Sequence, residues 1–205
     1  PYALAEDQKD AFSEMLFIRV HDTGGAKVYR IEITDEAGET ATLDINIIAG
    51  APLTELQGVL FNAGGDDGTG GLDLDEGIST ASNDALAEIK DLGIDTDLTA
   101  DINWIQRITG VNGFEARYLF AGQNGLPESF TFEGISFKEE VTSLWDNSTP
   151  FTSEDVNTGE KVSFLMEVGD VFIVSDGTKY YSFIVREVNI RTMDNLDNYV
   201  LDIKY

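Results

Sequence analysis

Cysteine is missing from this chain, and basic residues are scarce: 13 Lys and Arg stand against 38 Asp and Glu, a formal net charge of −25. Without cysteine there is no disulfide, no thiolate metal site and no cysteine nucleophile. So large an excess of negative charge repels phosphate backbones and argues against nucleic acid or an anionic membrane as partner. Histidine is nearly absent too. His21 stands alone, beside Asp22 and ahead of a Gly-Gly turn, and no nucleophile and orienting group can be placed around it to make a triad. No apolar run approaches the roughly 18 residues that a membrane helix requires, so no transmembrane segment is expected. Phosphate-loop and dinucleotide-binding glycine patterns are also lacking. "GISTA" (77–81) has part of the G-x-S-x-G shape but neither its last glycine nor the strand-turn-helix context of a nucleophile elbow.

What is present is a globular composition. Hydrophobic residues make up 42% of the 205-residue chain and aromatics 10%, enough for a sizeable core. The acidity then has three readings: a cation-loaded extracellular protein, a protein of a saline environment, or a soluble acidic surface. The first residues, "PYALAEDQKD", carry no basic or apolar leader.

The spacing along the chain is that of strands. "AEDQKDAFSEM" (5–15) predicts one short helix, and "LFIRVHD" (16–22) a strand. Residues 26–48 predict a hairpin, with Tyr29, Ile31 and Ile33 on one face and Val28, Arg30, Glu32 and Thr34 on the other. Its return strand alternates Leu43, Ile45 and Ile47 with Thr42, Asp44 and Asn46. "AGAPL" (49–53) breaks the pattern and divides the chain into 1–50 and 51–205. "SNDALAEIKDLGI" (82–94) reads equally as a short helix or a strand. Asn112-Gly113 predicts a hairpin between "NWIQRITG" and "FEARYLFAG". "KVSFLMEVG", "DVFIVSDGTKYYSFIVREVNI" and "NYVLDIKY" predict an antiparallel meander with one face packed and one wet.

The stretch "GGDDGTGGLDLDEG" (64–77) interleaves glycine with acids. Calcium takes six to eight oxygens, and glycine lets backbone carbonyls turn toward an ion. Asp66, Asp67, Asp73, Asp75 and Glu76 are therefore the candidate metal ligands. In an extended strand Asp73 and Asp75 would share a face about 7 Å apart, suited to flanking an ion rather than chelating it. A solvated loop feeding an amphipathic strand explains the same residues. Two further acidic clusters, Asp95/Asp97/Asp101 and Asp194/Asn195/Asp197/Asn198, likewise miss the EF-hand spacing. Among the aromatics, Trp145 in the polar loop "SLWDNSTPF" (143–151) and Trp104 are the candidate ligand contacts, although aromatics at strand spacing usually belong to a core.

Two resemblances follow from these residues. "YRIEITDEAGETATLDINI" (29–47) resembles the last hairpin of bacterial immunoglobulin-like domains, which implies a partial domain of that kind. "GGLDLDEG", the "NGF" turn and the closing "GDVFIVSDGTKYYSFIVREVN…NYVLDIKY" are similar to secreted β-rich surface lipoproteins of gut and marine bacteria, some of which bind haem through two axial side chains. That resemblance implies an extracellular or cell-surface location. Haem is not expected here, because one histidine excludes bis-histidine ligation. Met15, Met166 and Met193 are the other candidate axial ligands, and Met166 reads as strand core.

The expected protein is mainly β: an antiparallel β-sandwich-like domain with a small immunoglobulin-like N-terminal segment and one short helix. Its expected role is a non-catalytic extracellular module for adhesion or ligand binding, calcium-stabilised, with a glycan or protein ligand. The alternatives are a structural subunit of a surface filament or fibre, paired with copies of itself through exposed strand edges, and a glycan-active enzyme using carboxylates.

Overall fold

The computed structural model describes residues 25–35, 37–63, 69–191 and 196–205. The helix expected at 5–15, the strand at 16–22, His21, Met15, Met193, Asp66, Asp67, Asp194 and Asn195 lie outside the described residues. The chain divides into two compact units, Pro1–Ala49 and Gly50–Tyr205.

In the first unit, β1 (Gly25–Thr34) and β2 (Thr40–Ala49) form the antiparallel hairpin that their alternation predicts. Tyr29 faces Ile45 and Ile31 faces Leu43 across the ladder, while Arg30 faces Asp44. Arg30 and Asp44 form a two-pronged ion pair at 2.8 and 2.9 Å on the polar face, the kind of cross-strand pair that supports a ladder.

The second unit is mainly β and antiparallel, and among the described residues its sheets do not close into a barrel. Its larger sheet comprises β3 (Glu55–Asn62), β8 (Glu115–Tyr118), β9 (Thr149–Pro150), β12 (Val171–Ser175), β13 (Tyr180–Asn189) and β14 (Asn198–Lys204), ordered β3-β14-β13-β12-β8-β9. The smaller comprises β4 (Gly71–Asp73), β5 (Ile78–Thr80), β6 (Ile89–Asp91) and β7 (Ile108–Gly110), ordered β5-β4-β6-β7. A two-stranded pair, β10 (Ser153–Glu154) and β11 (Lys161–Val162), stands beside them. Alternation in β14 sends Tyr199, Leu201 and Ile203 into the main core. There they meet Phe61, Phe172, Phe183 and Val185 of the same sheet and Leu72, Leu74, Ile89 and Ile108 from the smaller one, as inner faces of packed sheets do.

Three expectations change. The Asn112-Gly113 turn forms, with φ of 54° and 88°, as a two-residue turn requires. Its arms do not pair with each other: β7 pairs with β6, and β8 with β12 and β9. The turn carries the chain from one sheet to the other. Second, the meander starts at Val171; "KVSFLMEVG" contributes only the two residues of β11, and Met166 is fully buried in the core. Third, the far face of the large sheet is not wet at its centre. "YYSFIV" is a nearly unbroken apolar run, and both of its faces are covered, as such runs require. Ile173 and Ile184 pack there against Phe132, Ile135, Val141 and Leu144.

Val141 and Leu144 lie on α1 (Lys138–Leu144), the one α-helix among the described residues. Glu140 Oε2 accepts the backbone N–H groups of Ser136 and Phe137 at 2.6 and 3.1 Å, so the acid three residues in holds the helix start. Lys204, on the same face, is buried. Its Nζ donates to the carbonyls of Phe132 and Ile135 at 3.2 and 2.9 Å, which places the ammonium against the end of a 3-10 turn, where carbonyls favour a cation. Among the described residues no helix is long and apolar enough to cross a membrane.

Candidate metal centre

Strand β4 ends at Asp73, and the chain turns back at once. Gly77 N–H donates to the Asp73 carbonyl at 2.9 Å, and Gly77 takes φ 66°, a backbone region that glycine enters without penalty. Asp73 Oδ1 accepts from the N–H groups of Asp75 and Glu76, both at 3.0 Å, which closes the turn from inside. Asp75 is therefore not two residues along an extended strand. The separation of about 7 Å expected from strand spacing gives way to a fold-back.

The third carboxylate comes from the neighbouring strand. Glu88 immediately precedes β6, which pairs with β4, and is held by its own N–H to the Leu72 carbonyl at 3.0 Å. Glu88 is 5% exposed, and its Oε2 accepts from Leu74 N–H at 2.7 Å. Carboxylate oxygens of Asp73, Asp75 and Glu88 all lie within 4.8 Å of one another.

Asp75 also joins the two sheets. It pairs with Lys179, just ahead of β13, and accepts from Tyr181 Oη at 2.7 Å, while its carbonyl accepts from Tyr205 Oη at 2.6 Å. Burial pushes the Asp75 carboxyl up, but the bonds from Lys179 and Tyr181 outweigh it and hold the group below the usual carboxylate range. Glu88 goes the other way. Burial, then the charges of Asp73 and Asp75, push it up to about 6 despite the bond from Leu74. Burial and the bond to Asp75 push the Tyr181 phenol up, so it remains a donor.

The group is an all-oxygen, hard donor set, of the kind that calcium, magnesium or manganese takes and soft metals do not. Three carboxylates beside one ammonium carry two net negative charges when ionised, which matches a divalent cation. Among the described residues, Asp73 Oδ2 and Glu88 Oε1 accept no hydrogen bond, so each has a lone pair to offer. These three residues could hold a metal ion.

Of the ligands expected from the sequence, the fold brings Asp73 and Asp75 together and leaves Glu76 exposed outside the cluster. Glu88 is the partner that sequence reading misses. Its signal is faint: a single acid between Ala87 and Ile89, both buried, in a segment that reads as helix or strand. Of the other acidic clusters, Asp95 closes a local turn through Asp97 N–H, and Asp197 is buried, accepting from Arg191 N–H at 2.6 Å. Trp104 packs at the edge of the main core. Its Nε1 donates to Asp91 at 3.1 Å and its ring lies 4.6 Å from that of Tyr199. Trp145 is half-buried, with the Arg117 guanidinium 4.0 Å above its ring and Tyr180 edge-on at 6.2 Å, an arrangement in which the cation is attracted to the ring face. The two tryptophans thus serve different layers and do not form one platform. No protein-family model matches this chain, and no curated protein or solved structure is significantly similar to it.

Proposed function

We propose that this chain is a non-catalytic extracellular or cell-surface binding module whose larger unit is stabilised by calcium at Asp73, Asp75 and Glu88. The observation that supports this most is the meeting of three carboxylates, two of them on buried residues, at the turn that ties both sheets together. Uncompensated, they repel one another; a divalent cation would turn that repulsion into a cross-link between β4, its turn and β6. Three carboxylates with water completing the shell suit the weak sites of extracellular modules, with Kd of roughly 10⁻⁴–10⁻³ M. The extracellular location is part of this proposal and rests only on the resemblance of 70–77 and 169–205 to secreted surface lipoproteins that the sequence suggests.

Thermal melts in EDTA and in calcium, with ionic strength matched by sodium chloride, test this reading. At about 5 mM calcium and a Kd of about 0.5 mM, binding to the folded state contributes about 1.4 kcal/mol. For a unit of this size that raises the melting midpoint by about 4 °C. An equal rise with sodium chloride alone would reduce the centre to an acidic turn.

A second reading, as a subunit of a surface assembly, is favoured by the β1–β2 hairpin. Val28, Ile33 and Leu43 are more than half exposed on it, and a two-stranded ribbon is marginal alone in water. Concentration-dependent oligomers in size-exclusion chromatography, lost on Leu43→Lys, are the expected result of that reading; a monomer at all concentrations contradicts it.

A further inference from the structure

The three carboxylates of the centre are not equally free. Asp73 Oδ2 and Glu88 Oε1 accept no hydrogen bond among the described residues. Asp75 has no oxygen to spare. Its Oδ1 accepts from Tyr181 Oη at 2.7 Å, and its Oδ2 holds the Lys179 ammonium at 2.5 Å. Among the described residues Lys179 is the only cation paired with the cluster. It comes from 104 residues further along the chain, on the turn between β12 and β13.

Lys179 reaches that oxygen on a loose tether with a fixed base. Asp176 Oδ1 accepts the N–H groups of Thr178 and Lys179 at 2.7 and 2.8 Å, so the turn presents the side chain from one place. The side chain itself is 52% exposed. Its stem is flexible and its head strongly hydrated, and a pair exposed to this degree is held weakly. The bond to Asp75 outweighs burial and, with the charges of Asp75, Glu88 and Asp176, lifts the ammonium above the usual lysine range.

We infer that Lys179 is a tethered competitor of the metal: its ammonium neutralises the centre when calcium is absent, and calcium binding displaces it from Asp75. The inference rests on the reading of the cluster as a calcium centre. Calcium bonds carboxylate oxygens at about 2.5 Å, so an ion sharing Asp75 Oδ2 with Nζ would stand no more than about 5 Å from it. Two positive charges that close, in a partly buried site, repel. The ammonium is the one that leaves, because it has solvent beside it and Asp176 drawing on it. In the calcium-free chain the pair relieves part of the carboxylate repulsion and joins the turn after β4 to the start of β13. Calcium then takes over a centre that was never bare, and Lys179 sets the concentration at which it does so.

Calorimetric calcium titrations of the unaltered chain, Lys179→Met and Lys161→Met, with thermal melts of each in EDTA, test this. Methionine keeps an unbranched stem and removes the charge. Lys179→Met should bind calcium about fivefold more tightly, the worth of one exposed ion pair, and should melt below the unaltered chain in EDTA. Lys161→Met lowers the net charge equally but breaks a pair with Glu154, outside the cluster; its calcium affinity should be unchanged. The EDTA melts also show that each variant is folded, and Lys179→Gln repeats the measurement if Lys179→Met is not. Equal or weaker calcium binding by the folded Lys179 variant, or equal tightening in Lys161→Met, overturns the inference and leaves the calcium reading standing. No saturable calcium binding by any of these proteins overturns both.

Discussion

In calcium-free buffer at pH 7.5, Glu88→Gln should be more stable than the unaltered chain by about 2 kcal/mol, the worth of its raised pKa, and it should no longer respond to calcium. Burial and two neighbouring carboxylates hold the Glu88 carboxyl at about 6, against an ordinary 4.5. At about 1.36 kcal/mol per pKa unit, that difference is about 2 kcal/mol of penalty for keeping Glu88 ionised in the fold. Glutamine removes the charge and retains an oxygen to accept the Leu74 N–H. The same difference sets a pH dependence. Between 4.5 and about 6 the folded state binds a proton that the unfolded chain does not, so stability falls as pH rises through that window. This contribution is fully present below about 4.5 and gone well above 6. Asp176 acts in a separate range: N–H groups of Lys179 and Thr178 and the Thr178 hydroxyl hold it at about 2, so its contribution is lost only as pH falls toward that value. A urea titration series from pH 4.5 to 8 on both proteins measures this. Identical pH profiles for Glu88→Gln and the unaltered chain would show that Glu88 is not the strained carboxylate.

The largest loss of stability is expected from Asp91→Ala, about 4 kcal/mol, or a midpoint lower by about 10 °C. Asp91 is 2% exposed and is the acceptor on which two layers of the sandwich meet. It takes the Trp104 Nε1–H at 3.1 Å, the Tyr199 hydroxyl at 3.0 Å and the Gly93 N–H at 2.7 Å. Alanine leaves these donors facing a space that water cannot fully supply. Tyr199→Phe removes one donor and leaves Asp91 its other bonds, so it should cost only about 1 kcal/mol. In the double variant the cost of Tyr199→Phe should shrink, because its partner is already gone. Equal and additive losses would show that Asp91 acts alone rather than through Tyr199.

These two sites show what was legible in the sequence. Strands were readable wherever one face is apolar: β1, β2 and β14 follow from alternation, and Leu201 and Ile203 enter the core as their spacing demands. Pairing was less readable. Asn112-Gly113 specifies the local turn, but nothing local says that its arms join different sheets, because that depends on which strand reaches each edge first. The helix at 138–144 is seven residues long and buries only Val141 and Leu144, too short a period to stand out. Asp73 and Asp75 were visible as candidate ligands because glycine and acid alternate there. Their true separation was not visible, because Gly77 converts an apparent strand into a turn. Glu88 and Lys179 are remote along the chain from the two aspartates. Only the β4–β6 ladder and the docking of the two sheets bring them together.

Calorimetric titration of calcium into the unaltered chain, beside Glu88→Gln and Asp73→Asn, tests the central claim most directly. The account predicts saturable binding with submillimolar to millimolar Kd, lost in both variants while each remains folded. No saturable heat in the unaltered chain, or binding that survives both substitutions, would contradict it.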